Sequence, residues 1–164
     1  MKYLKPEILY PEFFDKIENL DLIKKAHKDY DEYFNSIKNQ LPKQLVKIFS
    51  EKYAGFPDNR FHDCVIKELS TLGYSKYYKN ASDIIKLTLE LGREIEYRIK
   101  FLDINEIKVS TQNNQGHKCF LGEILICELG ITDESYYTFA AYTSSETEIY
   151  LEFKKIIISK LKKF

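Results

Sequence analysis

The chain has few of the residues on which cross-linked scaffolds and many ligand sites depend. It contains three cysteines, six glycines, four prolines and no tryptophan in 164 residues. Cys64, Cys119 and Cys127 are odd in number and lack C-x-x-C spacing, which predicts reduced thiols in a cytosolic protein. So few glycines leave little material for a nucleotide-cradling loop, and the phosphate-loop, dinucleotide and G-x-S-x-G motifs are missing.

An excess of charge is also missing. Lys+Arg and Asp+Glu are equal at 25 each, which argues against a basic nucleic-acid binder and against an acidic DNA mimic. No apolar run approaches the roughly 20 residues that span a membrane. The charged N-terminus lacks the apolar core of a signal peptide. We therefore expect a cytoplasmic protein that has neither nucleic acid nor a membrane as its partner.

Apolar residues make up 44% of the chain, enough for a real hydrophobic core in one domain spanning residues 1–164. Residues 1–55 are predicted to form a helical part. Their apolar positions step by three and four along one stripe, which consists of Ile23, Ala26, Tyr30, Tyr33 or Phe34, Ile37 and Leu41. A further helix is predicted to begin at Pro42, and a shorter one to lie around Pro11 to Asn19.

Residues 56–164 are predicted to form a β-sheet part, because the apolar period changes to two. The predicted strands include Ile85–Leu91, Ile95–Phe101, a short run at Glu106–Val109, Leu121–Leu129, Tyr136–Tyr142 and Glu148–Ile158. The connections are too short for crossover helices, so the pairing should be antiparallel. The prediction is an α+β fold in which N-terminal helices pack on an antiparallel, meander-like β-sheet of about six strands.

The adjacent pair His62-Asp63 is the first candidate site. It follows turn residues and leads into Val65-Ile66, which predicts a structural motif at the start of a strand. Successive side chains of a strand point to opposite faces, so the two groups should diverge. The alternative is a metal-dependent hydrolase that uses His62 and Asp63, with His27 and Asp103 as further ligands.

Two other constellations combine histidine with cysteine. His117 and Cys119 would share one face of a strand, but two ligands are too few for structural zinc. Cys64 follows His62 by two residues, yet a buried free cysteine is the simpler interpretation. No catalytic residue, no metal site and no cofactor are predicted.

Tyrosine is the most abundant aromatic residue, with 13 copies. A tyrosine buries its ring while its hydroxyl keeps a hydrogen bond, which suits both sheet faces and protein interfaces. The adjacent pairs Tyr77-Tyr78 and Tyr136-Tyr137 each place one ring away from the core if they are extended. These four residues are the candidate interface, beside the simpler interpretation of a half-exposed sheet face.

From Phe61 onward the chain resembles a group of small, largely uncharacterised bacterial cytosolic proteins. The matching residues are Phe61-His62-Asp63-Cys64-Val65-Ile66 and then the segments SDIIKLTLEL, EIEYRIKFLDINEIKV, LGEILICEL, YYTFAAY and EIYLEFKKIII. Proteins of that group have an N-terminal helical part and a His-Asp strand motif leading into an antiparallel sheet, and some resemble toxin immunity proteins. The resemblance implies a non-catalytic domain that binds a protein partner such as a toxin.

Overall fold

A computed structural model of the chain describes residues 1–10, 19–50, 61–72, 84–92, 95–111 and 121–162. The described helices are α1 (Pro6–Leu9), α2 (Leu20–Ile37) and α3 (Lys43–Phe49). None of them is both long and apolar enough to cross a bilayer. The helix predicted around Pro11 to Asn19 lies almost wholly outside the described residues.

The predicted apolar stripe of α2 is confirmed. Its buried residues are Ala26, Tyr30, Phe34 and Ile37, which step by four, four and three and so lie on one side of the helix. The helix begins where the Asn19 side chain accepts a hydrogen bond from the Leu22 N–H at 3.2 Å. This N-cap satisfies one of the amides that the first turn leaves without a helical partner.

The described strands are β1 (Cys64–Leu72), β2 (Ile84–Leu91), β3 (Ile95–Thr111), β4 (Ile124–Ile131), β5 (Tyr137–Thr143) and β6 (Thr147–Lys162). They form one six-stranded sheet in which every named pairing is antiparallel, as predicted. The strand order is β1-β2-β3-β6-β5-β4. A single meander would pair β3 with β4. Instead there are two three-stranded meanders, and the long strands β3 and β6 join them.

The short strand predicted at Glu106–Val109 is the distal end of β3. Asp103 has a φ of 54°, and the pairing of β3 with β6 shifts by one residue between Ile104 and Glu106. Aspartate tolerates this left-handed conformation. Between Ile104 and Glu106, β3 has one residue more than the facing part of β6, and this extra residue forms a β-bulge that bends the strand without ending it. The bulge interrupts the apolar alternation, so the sequence pattern of one bent strand looks like that of two.

The sheet curls until its outer strands β1 and β4 meet at one end. The Asp63 N–H donates to the Ile124 carbonyl at 3.0 Å, and the Ile66 N–H donates to the Gly122 carbonyl at 3.0 Å. These bonds pair backbone groups that a flat sheet would leave open at its two edges.

Farther along β4, hydroxyl groups from α2 bond to the edge of the sheet. The Leu129 N–H donates to the Tyr30 hydroxyl at 2.8 Å, and the Ile131 N–H donates to the Tyr33 hydroxyl at 3.1 Å. Gly130 allows the Tyr33 hydroxyl to lie close to the backbone of β4. A Cβ at this position would come within 3.1 Å of the Tyr33 hydroxyl and within 2.6 Å of the Thr138 hydroxyl. Two tyrosines of the predicted helical stripe therefore hydrogen-bond to a strand edge.

A continuous series of aromatic rings runs from α2 into the sheet. Phe34 contacts Phe49 of α3 at 5.3 Å between ring centroids, and Phe49 contacts Phe61 at 5.9 Å. Phe61 then contacts Tyr97 of β3 at 5.9 Å and Phe139 of β5 at 6.2 Å. Phe61 is fully buried, so its ring links helix and strand residues at the centre of the core.

Candidate functional site

The His62-Asp63 pair lies in a turn immediately before β1. Phe61 and Asp63 both have positive φ, of 57° and 64°, and β1 begins at Cys64. The His62 Nδ1 lies 2.8 Å from Asp63 Oδ1, and about half of each side chain is exposed. The expected divergence of the two side chains is therefore wrong, because the turn conformation brings them together. An exposed contact of this kind between a histidine and a carboxylate contributes little to stability.

The other residues of the hydrolase alternative have separate surroundings. His27 is exposed on α2, and Asp103 at the β3 bulge forms an ion pair with Lys155 at 2.9 Å. Within the part of the chain that the structure describes, no group of three or more His, Cys, Asp or Glu side chains could hold a metal ion. His117 and Cys119 lie outside the described residues.

Cys64 directly follows the doublet and is fully buried. Burial, and to a smaller extent the negative charge of Asp63, raise the pKa of the Cys64 thiol from 9.0 to about 12. A nucleophilic cysteine needs the opposite shift, because the thiolate is the reactive form. Cys64 is therefore a protonated core residue in the folded protein at neutral pH.

This environment predicts a slow reaction of Cys64 with iodoacetamide in the native protein near neutral pH. The pKa of about 12 instead of 9.0 lowers the thiolate fraction roughly a thousandfold, and burial slows access further. Peptide-resolved mass spectrometry of native and urea-unfolded protein would measure the ratio for this one residue. Equal labelling in both states would contradict the assignment and would restore Cys64 as a candidate nucleophile.

Two of the four predicted interface tyrosines can be placed. Tyr136 and Tyr137 are both half-buried, whereas Tyr77 and Tyr78 lie outside the described residues. The Tyr137 ring contacts Phe153 with centroids 5.8 Å apart. The Lys154 ammonium lies 3.7 Å from the centroid of the Tyr136 ring and donates to two backbone carbonyls of the preceding turn at 3.0 Å. These contacts give both rings local packing partners, and their role in an interface stays a prediction.

A feature that the sequence analysis missed is the exposed apolar surface at the two ends of the long strand pair. Among the described residues, β2 pairs with β3 only as far as Leu102, and β5 pairs with β6 only from Glu148 to Phe153. We call residues 104–111 of β3 the β3 overhang and residues 155–162 of β6 the β6 overhang. Six large apolar side chains are exposed among the described residues. Four of them lie on the overhangs, namely Ile107, Val109, Ile157 and Leu161.

The β6 overhang borders a groove of about 410 Å³ on the outer face of the sheet. Its lining consists of Lys86, Arg98, Lys100, Ile157, Ser159 and Leu161. The register explains the grouping, because Ile157 pairs with Lys100 and Ser159 pairs with Arg98. Lys86 bonds to Glu68 at 2.6 Å, and Arg98 bonds to Glu96 at 2.6 Å. The groove therefore combines apolar side chains with cationic ones.

Comparison of the chain with protein-family models, with curated proteins and with solved structures found no match. The functional argument consequently depends on surfaces and side chains. The sequence contained one signal of the β6 overhang, the run Ile156-Ile157-Ile158, which departs from strict alternation at the end of a predicted strand. Only the pairing shows that Ile157 faces outward there.

Proposed function

We propose that this protein is a non-catalytic, cytosolic binding domain, and that its partner is a bacterial toxin which it neutralises as an immunity protein. The observation that supports the proposal is the groove beside the β6 overhang, in which Ile157 and Leu161 are 53% and 38% exposed. Exposed apolar side chains surrounded by charged ones are typical of protein interfaces. The toxin as partner is the role implied by the sequence resemblance described above.

The charges of the groove favour a partner that presents carboxylates around an apolar contact. Lys86, Arg98 and Lys100 line the groove, and the β6 overhang adds Lys155 on the same face of the sheet. The groove lining itself holds three cations and no carboxylate, although Lys86 and Arg98 are bonded to Glu68 and Glu96 beside it. Such a surface attracts a partner of opposite charge and orients it during association.

The test combines partner recovery with neutralisation. We expect the protein to co-purify from its own host with a stoichiometric partner that is toxic when expressed alone and harmless when co-expressed with this chain. Ile157→Glu should abolish both recovery and protection, because it places a carboxylate in the apolar part of the interface. Leu20→Glu is the matched control, since Leu20 is an equally exposed apolar residue on α2.

Two results would count against the proposal. Recovery of the protein without any partner, under conditions where the host makes the neighbouring gene products, would contradict the proposed binding function. Full protection by the Ile157→Glu variant would leave a binding function but would exclude the groove as its site. A divalent ion that co-purifies with the wild type and is lost in His62→Ala would favour the hydrolase alternative instead.

A further inference from the structure

Among the residues that the structure describes, no strand bonds to the β3 overhang on the side away from β6, and this edge is separate from the cationic groove. Among the described residues, β2 pairs with β3 only as far as Leu102, so residues 104–111 have a strand neighbour only on the β6 side. Ile107 and Val109 of this overhang are 41% and 47% exposed. An open edge with exposed apolar side chains is a template for the addition of another strand.

The register shows which groups point to the open side. Ile107 lies opposite the buried Leu151, and Val109 lies opposite the buried Ile149, so both side chains are on the inner face of the sheet. The strands β1 and β3 run in the same direction, because β2 lies antiparallel between them. Ile66 of β1 is also on the inner face, and its N–H donates to the Gly122 carbonyl on the side away from β2. By the same geometry, the N–H and C=O groups of Ile107 and Val109 point away from β6.

We propose that the partner of this edge is a second copy of the same chain, paired antiparallel about a two-fold axis at Ile107. Each Ile107 N–H then donates to the Ile107 carbonyl of the other copy. In this register Glu106 of each copy lies opposite Lys108 of the other copy. Both charges are on the outer face, where they form an ion pair within one chain at 2.7 Å.

The charges select this register over its neighbours. A shift of one strand by two residues keeps the hydrogen-bonding parity, but it places Lys108 opposite Lys108 or Glu106 opposite Glu106. Opposite charges in directly facing positions stabilise a strand pair, whereas like charges destabilise it. Charged residues on an edge commonly prevent strand addition. The order Glu106-Ile107-Lys108 opposes addition of a strand with a different charge pattern and is complementary to itself.

The zero formal net charge of the chain removes a general repulsion between two copies. The resulting dimer would extend each six-stranded sheet into a continuous sheet through its β3 overhangs. The β6 groove remains accessible in such a dimer, because it lies on the outer face beside the half of β3 that β2 covers.

Charge reversal tests the pairing directly by analytical ultracentrifugation over a wide range of concentration. The wild type is expected to dimerise. Glu106→Lys and Lys108→Glu should each raise the dimer dissociation constant by about tenfold or more, because each makes both facing pairs like-charged. The double variant Glu106→Lys/Lys108→Glu should restore the dimer. The two single variants should associate with each other one to one when mixed.

Arg98→Glu is the matched control, since Arg98 has an analogous ion pair with Glu96 on the half of β3 that is covered by β2. It should leave the dimer unchanged. A second measurement does not depend on the charged variants: Ile107→Cys, with Cys119 replaced by serine, should form an intermolecular disulfide on oxidation, since facing Cα atoms lie about 5.5 Å apart. A monomer at every concentration, or a dimer unaffected by either single reversal, would overturn the proposal.

Discussion

Phe61→Ala will lower the free energy of unfolding by about 3–5 kcal/mol, the range typical of removing a buried aromatic ring. The ring is fully buried and contacts Phe49, Tyr97 and Phe139, so its loss leaves a cavity between helix and strand residues. A domain of this size is stabilised by only about 5–15 kcal/mol, so the variant will be close to unfolding. Urea denaturation followed by circular dichroism would measure the change.

The backbone of Phe61 offers an internal control. Its φ of 57° is in the left-handed region, where an alanine keeps the steric penalty of Cβ and a glycine does not. We therefore expect Phe61→Gly to be more stable than Phe61→Ala by about 1 kcal/mol, the reverse of the usual order in regular structure. A loss below about 1 kcal/mol in both variants would mean that the ring does not connect the two parts of the core.

Glu128→Ala will release the first residues of the chain from the sheet. The Glu128 carboxylate is buried on β4 and accepts backbone hydrogen bonds from the N–H groups of Lys2, Tyr3 and Leu4, the first two at 2.8 Å. Three successive amides around one carboxylate form an anion-binding concavity with charge-assisted bonds. Their removal should lower the free energy of unfolding by about 2–4 kcal/mol, after solvation of the freed amides offsets part of the loss.

Hydrogen exchange distinguishes this local release from a general loss of stability. In Glu128→Ala the amides of residues 2–4 should exchange at the rate of an unstructured peptide, while amides in the centre of β3 and β6 stay protected. Glu123→Ala is the matched control, because Glu123 is exposed just before β4 and should change stability by less than about 0.5 kcal/mol. Retained protection of residues 2–4 in Glu128→Ala would show that other contacts hold this segment.

The candidate sites differ in how visible they are in the sequence. His62 and Asp63 are conspicuous by residue type, but their contact depends on two positive φ angles that no local pattern indicates. Phe61 is one apolar residue among many, and its position at the centre of the core depends on ring contacts with residues 12 to 78 positions away. The Glu128 carboxylate is an acidic residue within an apolar strand, and its bonds to residues 2–4 span more than 120 positions.

The sequence by itself determined the local structure of this protein. The stripe of α2 and the alternation of β2 follow from periods of 3.6 and 2, which are properties of neighbouring residues, and short connections require antiparallel pairing. Only the tertiary structure decided that β3 pairs with β6, that β1 and β4 meet, and that both long strands have overhangs. Strand alternation states which face a residue occupies but not which strand lies beside it. That choice depends on how distant side chains pack together and where the strand edges are covered.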